Sequence, residues 1–344
     1  MSKADYIVVG LHQSGSTNLK TARTTFDYSP PIASEDISMN REELEAEETL
    51  GNRAPAPQEY GGRIFTGGIT YFARPNSSPI FASMAFGSPT TSTPTGAVNA
   101  RDHLFDPLGT NKEALAATLW LIKADPSPKI VDQLVGAKGN EYNLDVEANG
   151  YLGGSLGVSA VRLVTNATEP VGAVRDTTKK WGFTQVAANV SVNGAALAPI
   201  QLAQFGMSYS NNIVEDLFIL GSNEVDDLPV GNITSEVTFT PTRNLQQHYN
   251  RALADNPDNV RLQLIATGAT ALGTGGDATL YPELEIDIKR ALYTEAPANV
   301  NAGETTRRIQ VTARPVLDDA TSKLLLIRFR NAETGTKYQP ATGA

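Results

Sequence analysis

Two stretches of this 344-residue chain follow one grammar. Residues 63–87 read RIFTGGITYFARPNSSPIFASMAFG, and residues 230–255 read VGNITSEVTFTPTRNLQQHYNRALAD. Setting Ile69 on Val237, an offset of 168, puts Thr70 on Thr238, Tyr71 on Phe239, Asn76 on Asn244 and Phe81 on Tyr249. Each copy opens with a short run of β-branched and aromatic residues, which predicts a strand. Each then reaches an asparagine suited to a helix N-cap, Asn76 or Asn244, followed by apolar residues at helical spacing. Self-similarity at close to half the chain length is the mark of a unit used twice, and it restricts the possible folds more than any other feature.

The repeat continues once residues 88–110, rich in Ser, Thr, Pro and Gly, are read as a loop inserted in the first copy. TLWLIKAD from Thr118 then lies on RLQLIATG from Arg261, and YNLDVEAN from Tyr142 on PELEIDIK from Pro282. SLGVSAVRL from Ser155 resembles TRRIQVTARPV from Thr306. The expected fold is therefore mainly β, with two similar β-sandwich or barrel-like units, 1–172 and 173–344, each carrying one short flanking α-helix. Each half is long enough for its own core, and the 29 glycines and 20 prolines suit strands joined by turns.

Alternation along LEIDI puts Leu284 and Ile286 on one strand face and Glu285 and Asp287 on the other. The aligned YNLDVEAN gives Leu144 and Val146 inward, Asp145 and Glu147 outward. The two acid pairs then fall at matching places in the two copies, which suits a charged sheet face better than the cleft dyad of a glycosidase. Residues 40–62 carry Glu42, Glu43, Glu45, Glu47 and Glu48 followed by a Pro- and Ala-rich run, and read as an acidic solvated loop or arm. A shorter acidic stretch, 219–231, precedes the second copy of the repeated strand.

Other motifs carry little chemistry. GGSLG at 153–157 has the spacing of a nucleophile elbow, but VSAVRLV after it reads as strand rather than helix, leaving Ser155 as a turn residue. His12, His103 and His248 are scattered and lack metal-ligand spacing. GTGGD from Gly273 lacks the lysine of a phosphate-binding loop. No enzyme activity, cofactor or metal is expected. A net charge of -9 argues against a groove that grips nucleic acid by its phosphates. Zero cysteines exclude disulfides and thiolate metal sites. The apolar run YIVVGL is shorter than a signal-peptide core, and nothing approaches a membrane span, so synthesis and assembly in a cytoplasm are expected.

The order of acidic loop, glycine-led strand GNITSEVTFTP, short helix and late segment LEIDIKRALYTEAPANVNAGETTRRIQVTARPVLDD resembles the tail tube proteins of long-tailed bacteriophages. The likeness is fullest over 180–333. It implies a structural virion protein of the phage tail whose units form stacked rings, their sheets joined around a channel that passes DNA without specific binding. A duplicated chain resembles those members that form trimeric rings with pseudo-sixfold symmetry, with other tail proteins at the tube ends. Under that resemblance Asp145, Glu147, Glu285 and Asp287 face the lumen, and Glu42, Glu43, Glu45, Glu47 and Glu48 belong to a ring-stacking loop. Two other readings stay open at this point. One is another ring-forming virion or secretion-tube protein, and the other a carbohydrate-binding β-sandwich, for which Trp120 and Trp181, both in strand-like contexts, would have to be exposed.

Overall fold

The computed structural model describes residues 6–12, 19–45, 58–97, 99–109, 113–123, 128–173, 175–243, 245–253, 259–275, 278–296, 309–333 and 335–339. It is mainly β, with nearly all strand pairing antiparallel and two short α-helices, Ser78–Phe86 and Leu245–Ala252. The strands follow from alternation. Val260–Thr267, for example, buries every second residue, and Leu325–Asn331 does the same.

In the first half the pairing runs Tyr6–Leu11, Ala117–Lys123, Ile130–Glu147, Gly153–Ala160, Gln58–Phe72, Ser38–Glu45. In the second half it runs Val186–Val192, Val260–Thr267, Glu283–Glu295, Val311–Pro315, Thr234–Pro241, Leu202–Ser210. The order is the same, and so are two irregularities. Where Ala117/Leu119 face Ala137/Leu134 one strand bulges, as it does where Val260/Leu262 face Ala291/Ile288. A second bulge falls between Gly139 and Glu141 and again between Tyr293 and Glu295. Gly136 sits in the first of these at φ 65°, with the Leu19 carbonyl oxygen 2.6 Å from where a Cβ would lie. Only glycine fits there without strain.

Bulges are anchors that hydropathy lacks, and they move the alignment. Ala137 corresponds to Ala291 and Glu141 to Glu295. Val158 corresponds to Ala313, which carries Gly67 onto Val237. The strand equivalence is therefore offset by two residues from Ile69 on Val237. Glu285 and Asp287 correspond to Val131 and Gln133, not to Asp145 and Glu147. A long alternating strand matches itself at every even shift, so alternation alone chose the wrong stretch.

The long strand Ile130–Glu147 belongs to two layers. Its start pairs with Ala117–Lys123 and Arg162–Val164, and its end with Gly153–Ala160 and Leu202–Ser210. Glu283–Glu295 divides in the same way, its start between Val260–Thr267 and Leu325–Asn331. The layers enclose one apolar core that runs through both halves, from Ile69, Leu144 and Leu156 to Val237, Ile286 and Phe329. The Ser78–Phe86 helix is buried at every position, as befits a helix apolar on all sides.

Several local expectations are corrected. The helix cap is Ser77; the Asn76 side chain instead reaches Glu333, and the Asn76 carbonyl accepts from the Tyr338 hydroxyl at 2.6 Å. Asn244 lies outside the described residues. The 88–110 insertion is not a plain loop: Thr90–Ser92 and Arg101–Phe105 form a hairpin that pairs with Leu325–Asn331. That pairing and the docking of Tyr338 tie the end of the chain to the first half. Of the acidic 40–62 stretch, 40–45 and 58–62 are the arms of a β-ribbon, Ser38–Glu45 against Gln58–Phe72, while Glu47 and Glu48 fall outside the described residues. Ser155 lies within the Gly153–Ala160 strand, its hydroxyl accepting from the Asn143 amide at 3.0 Å, and is no turn residue. Trp181 lies outside any strand, although it and Trp120 are both buried.

Candidate channel face and open sheet edges

One layer crosses the boundary between the halves. Ser38–Glu45, Gln58–Phe72, Gly153–Ala160 and the end of Ile130–Glu147 are followed, through Leu202–Ser210, by Thr234–Pro241, Val311–Pro315 and the end of Glu283–Glu295. The result is an eight-stranded antiparallel sheet. Its register is continuous across the junction: Thr70 faces Ser155, Ser155 faces Asn143, Asn143 faces Ser208 and Ser208 faces Glu236. A second row runs from Gly153 through Asp145, Gly206 and Thr238 to Thr312. Opposite residues share a face, so this face is built largely of short polar side chains and glycines, with Phe72 opposite Gly153 at one side and Arg314 exposed at the other. The other face holds Tyr71, Leu156, Leu144, Met207, Val237 and Ala313, all buried in the core.

Acids stand on the polar face. Asp145 and Glu147 are exposed, and neither has a basic partner among the described residues. Partial burial, then repulsion from Glu147, pushes the Asp145 carboxyl above its ordinary value. Glu141 and Glu236 are exposed on the same face.

Glu285 and Asp287 do not join them. They lie on the outer face of the opposite layer, between Val260–Thr267 and Leu325–Asn331. Asp287 is buried and receives two bonds from Arg261, at 2.9 and 2.7 Å, together with an ion pair from Lys289. Burial pushes its carboxyl up, but the bonds from Arg261 and Lys289 outweigh that and hold it below its ordinary value. Arg328 donates to Glu285 at 2.8 Å and pairs with Glu283, while Arg330 donates to Asp102 at 2.7 Å. Four acids and four bases make this patch neutral. The two acid pairs therefore lie on the outer faces of different layers. Identical alternation in the two strands concealed the difference in layer.

The histidines are packing groups. His12 Nε2 lies 2.7 Å from the Thr118 hydroxyl; burial, then Arg23, pushes its imidazole down to about 4. His248 stacks on Tyr293 beneath Phe239, and burial, then Arg251, pushes it down to about 4. His103 is enclosed between Thr91 and Asn331, each 3.0 Å away. Among the described residues no group of His, Asp and Glu could hold a metal ion, and no helix is long and apolar enough to cross a membrane.

The sheet ends in open edges. Ser34–Glu35 and Ser38–Glu45 pair only with Gln58–Phe72, and residues 292–295 pair only with Val311–Pro315 among the described residues. Exposed edges are open to pairing with further strands, and both ends of this polar sheet are such edges among the described residues. Comparison with family models agrees: the model for phage tail tube protein matches residues 15–335, and the chain belongs to that family. It is a structural subunit of a phage tail tube. A comparison with curated proteins finds no match.

Proposed function

We propose that this chain arose by internal duplication of one tube unit, roughly 1–172 and 173–344, and that three chains close a ring of six similar units. Rings stack into the tail tube, other tail proteins cap its ends, and DNA passes from capsid to host cell through the lumen. Assembly takes place in the host cytoplasm. The observation that carries this reading is the eight-stranded sheet whose register runs unbroken from one half into the other. The first half already treats the second as its ring neighbour. A closed ring satisfies edges that a lone chain leaves open.

In this reading the face bearing Asp145 and Glu147 is the channel wall, and the neutral patch around Glu285 and Asp287 faces the outside of the tube. Short polar side chains and glycines cover most of that face, and the unpaired carboxylates Asp145 and Glu147 repel phosphate, so the duplex slides without being bound. The ribbon whose arms are Ser38–Glu45 and Gln58–Phe72 projects beyond the sheet, since Gly153–Ala160 pairs only with 65–72. With Leu44 and Tyr60 exposed on it, the ribbon and its acidic run reach the adjacent ring. Mass measurement on isolated rings tests the stoichiometry: three chains per ring is expected, and six would overturn the pseudo-sixfold arrangement.

A further inference from the structure

The junction between the two halves shows what each half needs from a neighbour. Along Leu202–Ser210, Tyr209 faces Tyr142 and Ser210 faces Glu141. Tyr209 is 2 % exposed and packs on Phe86, at the end of the first helix, with ring centroids 4.4 Å apart. Asn211 caps the contact, its side-chain amide donating to the carbonyls of Ala85 and Gly139, each at 2.7 Å. The 212–231 connection then lies over the first half. There Arg63 pairs with Glu224 at 2.7 Å, Lys138 donates to the Leu228 carbonyl at 2.7 Å, and Val225 and Leu228 are buried.

Several partners in that junction have counterparts facing solvent. Ser210 pairs with Thr234 as Asn40 pairs with Ile64, and the bulge-anchored alignment carries Thr234 onto Ile64. Ser210 therefore corresponds to Asn40, and Tyr209 to Met39. Glu141 follows its bulge as Glu295 follows the matching one. Leu253 follows the last residue of the second helix, Ala252, close to the place that Phe86 takes at the end of the first. Met39 is 45 % exposed and Leu253 63 %, whereas Tyr209 and Phe86 are buried. At the same open edge stands Arg314, exposed, in the place where Ser159 contacts Glu215 in the junction.

We infer that the edge strand Ser38–Glu45 of one copy adds to the free end of Glu283–Glu295 of another, with Asn40 opposite Glu295 and Met39 opposite Ala296. Met39 covers Leu253 of the second copy as Tyr209 covers Phe86. The inference rests on the ring reading, to which it adds the contact residues and the register. Opposite residues of an antiparallel pair have Cα atoms about 4.5–5.5 Å apart, within the span of a disulfide.

A chain without cysteines makes the register directly readable. The variant N40C/E295C, assembled and oxidised with copper–phenanthroline, should give covalent trimers in denaturing electrophoresis. N40C and E295C alone should stay monomeric there, and S210C/E141C should close within the chain as the positive control. The displaced pair S38C/E295C, on the same exposed strand face two residues away, should cross-link at less than a tenth of the N40C/E295C yield. Electron microscopy of the same samples separates two failures. Tubes that cross-link only through the displaced pair, or not at all, would overturn this register and leave the tube reading standing. Wild-type protein that forms no ring under any condition would overturn both. A second variant, M39D/L253D, should melt like the wild type yet stay monomeric; wild-type assembly by it would contradict the contact between the two side chains.

Discussion

Replacing Asp145 and Glu147 with Lys changes the proposed channel wall by four charges per chain without touching the core, because both residues are exposed and have no basic partner among the described residues. The size of the effect follows from the bore. With eight sheet strands per chain and three chains, strands about 4.8 Å apart and tilted about 40° give a backbone diameter of about 48 Å, and short side chains leave roughly 40 Å free. A duplex about 20 Å across then clears the wall by about 10 Å on each side. That gap is close to the Debye length of about 8 Å at 0.15 M salt and far below the 30 Å at 0.01 M. The lysines are therefore mostly screened at physiological salt and fully felt at low salt. DNA ejection from phage carrying D145K/E147K tubes, followed by dye release from the capsid, should slow about tenfold or more at 0.01 M and less than twofold at 0.15 M. Equal rates for variant and wild type at 0.01 M would refute the placement of these acids on the wall.

Other perturbations separate fold from assembly. Tyr209→Ala should cost the folded chain about 3–5 kcal/mol, because it empties a buried site against Phe86, and the loss should appear in urea unfolding of the monomer. Met39→Ala should leave that unfolding curve unchanged and weaken only assembly. Asp287→Asn should destabilise the chain by about 1–2 kcal/mol at pH 7, reduced from the loss expected of a fully buried pair because Arg261 is 36 % exposed and can rehydrate. The folded Asp287 pKa is depressed, so its contribution is present above the ordinary carboxylate value and is lost as pH falls through the folded pKa. The difference between wild type and variant should thus vanish in acid, and a difference independent of pH would refute the ion-pair account. Gly136→Ala should lower the melting temperature at a cost of about 1–3 kcal/mol, since φ is 65° there and the Leu19 carbonyl blocks a Cβ.

The sequence made the β class, the recurring strand–helix–strand order and the inward set Leu144, Val146, Leu284 and Ile286 legible, because alternation reports burial directly. It did not report layer. Asp145 and Asp287 sit in strands of like pattern, yet one strand end lies in the continuous sheet and the other strand start in the opposite layer. Bulges fix that distinction, and a bulge such as the one at Gly136 leaves only a glycine in the sequence. Neutralisation was equally hidden, since Arg261 and Arg328 reach Asp287 and Glu285 from strands distant in sequence. The acidic 40–45 segment read as loop because glutamates are poor strand formers; pairing with 58–63 overrides that preference. Trp120 and Trp181 are both buried, so neither serves as the exposed aromatic that a carbohydrate-binding sandwich would present.

The central claim is that the junction inside the chain is repeated between chains to close a ring around a channel. Electron cryomicroscopy of the assembled wild-type protein tests it most directly. The account predicts stacked rings of three chains, an inner wall formed by one unbroken sheet with Asp145 and Glu147 in the lumen, and a contact between chains that superposes on the pairing of Leu202–Ser210 with 141–147. Rings joined through the Glu285 and Asp287 face, or an inner wall broken between chains, would contradict it.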